Sequence, residues 1–204
     1  GRAQGLTWRS APLGDLQWSV SPWLLLLGRV AGEMALSRPD GSLRATYSLA
    51  LGGTLRLEDV QADLPVEMLS TLPVGMPRNW RGRLSGRFEE ITLSDGWPRS
   101  LRGTLDMDGL IAPPPRNTSI GSYLVVMPDP DAEAADGALT ARVTDKEGPF
   151  SFEGRFTLGA DRSFLLEGTL APRGATPPAL VRSLELLGPA DANGRRPVSV
   201  SGTL

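Results

Sequence analysis

The sequence predicts a mainly β protein: a strongly curved, half-barrel-like antiparallel meander sheet with one or two short helices packed on it. Three observations predict this. The chain holds 24 glycines and 18 prolines but only 6% aromatic residues, and glycine and proline mark turns and interrupt helices. Short runs that alternate apolar and polar residues recur after a glycine, the period of a strand with one packed and one wet face. Turn-forming clusters separate the runs.

The first clear units are Gly32-Glu33-Met34-Ala35-Leu36 and Gly53-Thr54-Leu55-Arg56-Leu57. Gly82-Arg83-Leu84-Ser85-Gly86-Arg87-Phe88 and Gly103-Thr104-Leu105-Asp106-Met107 follow. Later copies start at Gly137, Gly154 and Gly168, and the last is Gly202-Thr203-Leu204. Their spacing runs from 14 residues (Gly154 to Gly168) to 34 (Gly103 to Gly137), too uneven for a solenoid with a fixed period. Arg38-Pro39-Asp40-Gly41, Ser94-Asp95-Gly96, Asp145 to Pro149 and Gly159-Ala160-Asp161 join neighbouring runs as hairpin turns. Glycine inside a strand packs nothing and accompanies bends and bulges, so its repetition predicts curvature.

Two windows predict helices, at 65–72 and 178–188. In the second, Leu180, Val181, Leu184 and Leu187 recur at helical spacing between Pro178 and Gly188. Both are expected to cover an end or one face of the sheet. Residues 112–137 read as a loop-rich region, with Tyr123 to Met127 as a strand in its middle. Matching strand patterns on either side predict a single domain over 1–204.

Composition narrows the chemistry. The net charge is −2 and the pI near 5.3, so the excess positive charge that drives non-specific nucleic-acid binding is lacking. Lys146 is the single lysine, and arginine supplies every other basic residue. Histidine and cysteine are absent, which removes the commonest general base, the commonest metal ligand and all thiol chemistry. Glu89-Glu90 would point to opposite sides of a strand and cannot grip one bond. Asp129, Asp131, Glu133 and Asp136 resemble a calcium loop only in acidity. Counted from Asp129, the sixth and twelfth positions hold Ala134 and Thr140 instead of the required glycine and glutamate. No phosphate-binding loop and no nucleophile elbow occurs. The expectation is a protein that is not an enzyme, with no cofactor and no metal.

The candidate binding stretch is Arg78 to Arg87. On a strand, Arg81, Arg83, Ser85 and Arg87 share one face, and Trp80 adjoins them. Arg81, Arg83, Arg87 and Trp80 are therefore the candidate partner-docking residues, suited to an acidic partner or a lipid phosphate. The alternating run from Pro197 to Leu204 supplies a further candidate, an exposed sheet edge.

The longest apolar run, Trp23 to Leu27, is far shorter than the ~20 residues that span a bilayer. The chain opens on Gly1 and not on methionine, so its natural N-terminus, with any signal or anchor, is expected upstream.

The stretch Ala11-Pro12-Leu13-Gly14-Asp15-Leu16-Gln17-Trp18, followed by Ser21-Pro22-Trp23-Leu24-Leu25-Leu26-Leu27-Gly28, resembles the start of the periplasmic part of type II secretion system protein N. Leu187 to Pro197 followed by Gly202-Thr203-Leu204 is similar to that family's closing motif, and the Leu64-Pro65 helix start also fits. The resemblance implies a single-pass inner-membrane protein with a periplasmic domain, its anchor absent from this chain. It implies a part in exporting folded proteins across the Gram-negative outer membrane, with the inner-membrane platform and the outer-membrane secretin as partners. It carries no catalytic motif. The fold it implies is akin to the curved sheets of envelope lipid-handling proteins. The alternative function is thus a lipid-binding or lipid-transfer module whose apolar concave face holds acyl chains.

Overall fold

The computed structural model describes residues 1–8, 11–25, 28–71, 79–132, 137–174, 176, 181–182, 184 and 188–204. Its strands are β1 (Arg2–Trp8), β2 (Ala11–Trp18), β3 (Arg29–Arg38), β4 (Gly41–Ala50), β5 (Thr54–Pro65), β6 (Arg81–Ser94), β7 (Trp97–Ile111), β8 (Ser119–Met127), β9 (Leu139–Glu147), β10 (Phe150–Leu158), β11 (Ser163–Pro172) and β12 (Arg196–Thr203). All twelve form one antiparallel sheet in sequence order, each pairing with its neighbours in the chain. The sheet is a meander, as the alternating runs predict, and it is open: β1 and β12 are its edges.

The register sorts the two faces. Met34, Ala45, Val60 and Phe88, then Leu105, Val125, Ala141 and Phe156, fall on one side. Arg44, Gln61, Arg87, Thr104, Val126, Arg142, Arg155 and Glu167 run across the other as one row, one residue per strand from β4 to β11. Bulges interrupt the pairing between β4 and β5, β6 and β7, β7 and β8, and β8 and β9. Asp59 and Gly109 stand in these irregularities with φ of 51° and 59°. Each bulge bends its strand and sharpens the twist. The apolar side is the inside of the curve, since rings two strands apart meet there: Tyr123 on β8 and Phe152 on β10 pack edge-on, 6.3 Å between centroids.

The repeated glycines make room on this inner face. A side chain at Gly86 would meet the Phe88 ring 2.7 Å away, one at Gly154 the Phe152 ring at 2.6 Å, and one at Gly202 the Phe164 ring at 2.8 Å. Gly168 also faces Phe152. Rings folded over glycines cover the exposed backbone, a device of curved sheets. Gly103 is held differently. Its φ of 151° and the close approach of the Arg87 carbonyl both exclude a side chain.

The window at 65–72 forms a 3₁₀ helix over Val66–Thr71. It packs on the sheet through Val66, which is 1% exposed and clusters with Leu84 of β6 and Leu110 of β7. The window at 178–188 lies mostly outside the described residues. Val181, Arg182 and Leu184 within it are helical, and Leu184 is buried. A short helix, α1 (Pro22–Leu25), joins β2 to β3. It opens on proline, which suits a first helical position, and takes in the start of the apolar run. β8 begins four residues earlier than the strand read from Tyr123.

Candidate functional site

The arginine stretch lies on β6, with the face the alternation predicts. Arg83, Ser85 and Arg87 pair in register with Asp108, Asp106 and Thr104 of β7 on the polar side. The three arginines do not form one free patch. Arg83 donates to both carboxylate oxygens of Asp63 on β5, at 2.5 and 2.6 Å. That hydrogen bond, with the guanidinium charge beside it, holds the Asp63 carboxyl below its ordinary range. Arg81 donates to Asn117 Oδ1 at 3.3 Å. Arg87 is exposed and makes no ion pair or hydrogen bond with the described residues. Arg78 lies outside the described residues.

Trp80 does not join the arginines. Asn79, at a φ of 70°, turns the chain just before β6. Trp80 then packs half-buried against the Val66, Leu84 and Leu110 cluster. Its Nε1 is buried without an acceptor among the described residues. The ring therefore belongs to the inner face, opposite the guanidinium groups.

Arg87 borders a shallow depression of about 360 Å³ that crosses β4, β5 and β6 and is lined by Ser42, Arg44, Gln61, Asp63, Ser85 and Arg87. Arg44 and Arg87 flank Gln61 in register. Neither is ion-paired among the described residues, whereas Asp63 is taken up by Arg83. Two unpaired guanidinium groups and two hydroxyls around one hollow suit a carboxylate or phosphate.

The rest of the polar face is laced with ion pairs. Arg56 bridges to Glu90 at 2.5 Å and to Glu58 at 3.3 Å. Lys146 on β9 reaches Asp106 and Asp108 on β7 at 2.9 and 3.3 Å. On the inner side, Asp145, the register partner of Tyr123, is held by Arg173. Asp129, from the acidic stretch, is buried and paired: Arg142 reaches it at 2.8 Å and Arg155 at 2.6 Å. Burial alone would raise this carboxyl. Hydrogen bonds from Arg155, the Asp131 amide and Arg142 outweigh that, so it lies below its ordinary value. Asp131 pairs with Arg142 as well. Glu133 and Asp136 lie outside the described residues. Among the described residues no three acidic side chains converge as a metal site would need. The Asp129 network was not apparent in the sequence, although Arg142 and Arg155, each mid-strand on the polar side, were its signal.

A family model described as type II secretion system (T2SS), protein N, matches residues 1–199. The type II secretion system protein N of Aeromonas hydrophila is 26% identical over 208 aligned residues, spanning all of this chain and 80% of that protein. Its counterpart from Vibrio cholerae serotype O1 is 22% identical over 208, spanning all of this chain and 81% of that protein. No solved structure matches at a significant level.

Proposed function

This chain belongs to the type II secretion system protein N family, and we propose that it serves that machinery as a non-catalytic docking domain on the periplasmic side. In this reading it links inner-membrane platform components to the outer-membrane secretin and is membrane-anchored in the full-length protein. The observation that carries the reading is the hollow on the polar face, where Arg44 and Arg87 stand unpaired beside Gln61. The partner supplies an acidic side chain to these guanidiniums. Arg81 adds charge at the end of the same strand, and Arg83 is spent on Asp63. The free edges at β1 and β12 offer backbone groups for strand addition.

The test is capture of the platform and secretin periplasmic domains by the purified chain, with and without the Arg44→Glu/Arg87→Glu pair. Both residues are exposed, so the double variant is expected to keep its melting temperature. It should lose capture by ~100-fold or more, since breaking a paired interfacial charge costs about 2–5 kcal/mol. Equal capture by the variant removes the polar hollow as the docking site. No capture by the unaltered chain removes the docking role.

A second reading has its own support. The inner face is mostly apolar from β2 to β12, Asp145 of β9 being an exception, and the described 3₁₀ helix packs on the part near Leu84 and Leu110. Leu49 and Val200 on that face remain exposed. A face of this kind suits an acyl chain. Native mass spectrometry of the detergent-free chain would reveal a bound lipid, and a bare mass would discard this reading.

A further inference from the structure

We infer that one end of the sheet is a bilayer-contacting tip, built by α1 and the β4–β5 turn. Ser19 and Ser21 donate their amides to the Glu33 and Ala31 carbonyls, extending β2 along β3 to this end. α1 follows, with Trp23 78% exposed. In the neighbouring hairpin Leu51 stands 89% exposed at the turn, next to Gly28, where an added side chain would meet it at 3.0 Å. Val20 and Leu49 are exposed beside them, and Val30 pairs with Leu49 in register. Several large apolar side chains thus crowd one end of the protein without cover from the described residues, a cluster that calls for an apolar partner.

The charge pattern selects a lipid surface among such partners. No acidic residue occurs between Asp15 and Glu33 or between Asp40 and Glu58, the two segments that build the tip. Arg29, exposed and without an ion pair among the described residues, stands at the start of β3 behind it. Tryptophan with an apolar body and one polar N–H prefers the bilayer interface. A nearby arginine adds attraction to anionic headgroups. The tip consists of a turn and a four-residue helix, so it would dip to headgroup depth and not span. This contact is separate from the docking hollow on β4–β6, and through Val30 and Leu49 it borders the inner face.

The experiment uses the 204-residue chain, vesicles of phosphatidylethanolamine with phosphatidylglycerol, and vesicles of phosphatidylcholine alone. The unaltered chain should sediment with the anionic vesicles, and lipids brominated near the headgroup should quench its tryptophan fluorescence. Trp23→Ser/Leu51→Ser should lower partitioning by about tenfold or more with unchanged circular dichroism. Arg29→Gln should weaken binding to the anionic vesicles only. The inference is overturned if the unaltered chain stays in the supernatant, or if the double variant sediments equally well. It is also overturned if light scattering shows a dimer that the double variant abolishes while vesicles recruit neither form.

Discussion

Asp129 shows how a single carboxylate organises part of this surface. Arg142 and Arg155 are direct register partners on β9 and β10, and like charges facing each other across strands repel. Asp129 lies between them, buried and bonded to both. Asp129→Asn keeps the shape and removes the charge that offsets two guanidiniums. It should destabilise the chain by about 1–3 kcal/mol, read as a lower urea midpoint. The pH dependence follows from the depressed carboxyl. A lowered folded value means that the stabilisation is complete above the ordinary aspartate value of 3.8 and is lost as the pH falls below it toward the folded value. The unaltered chain should therefore lose more stability between neutral pH and acid than the Asn variant does. Parallel curves would show that the network contributes nothing net.

Glycine–aromatic pairs add to the curvature that the bulges give the meander, and Phe152 serves two of them, Gly154 and Gly168, on adjoining strands. It is also buried against Tyr123. Phe152→Ala should cost about 3–5 kcal/mol, measured by chemical denaturation. Phe164→Ala, near the β12 edge and half-buried, should cost less. Elements of this kind were legible before the fold was known, because alternation marked β3, β5, β6 and β10 and glycine marked the bends. What stayed hidden depended on pairing at a distance. The unbroken register of β5 with β6 pairs Asp63 with Ser85 and Pro65 with Arg83, and so sets Asp63 diagonally within reach of Arg83. Nothing local to the Arg81–Arg87 stretch reveals that partner. Trp80 reads as a neighbour of the arginines because a strand pattern extended backwards places it there. The turn at Asn79 sends it inward instead. α1 was also hidden, since four residues are too few to display a helical period. The exposed Trp23 could be read in the sequence only as part of an apolar run.

At the scale of the whole molecule, no strand waits on a distant one. β1 pairs with β2, β2 with β3, and so on to β12, so the sheet can be shortened from one end without removing a partner from its middle. β12 is mostly exposed and pairs only with β11. A chain ending at residue 195 should keep the strand content of β1–β11 and unfold cooperatively at a modestly lower denaturant midpoint. Collapse of the whole far-ultraviolet strand signal would show a long-range dependence absent from the pairing. The same order has a consequence in time. Closing a short loop costs little entropy, and neighbour pairing keeps most closures short. A chain delivered gradually from its N-terminus can therefore fold as it arrives, adding one hairpin arm at a time. It always offers the incoming segment a single ready template, so the interval in which unpaired backbone is open to a wrong chain is about the time needed to deliver one strand.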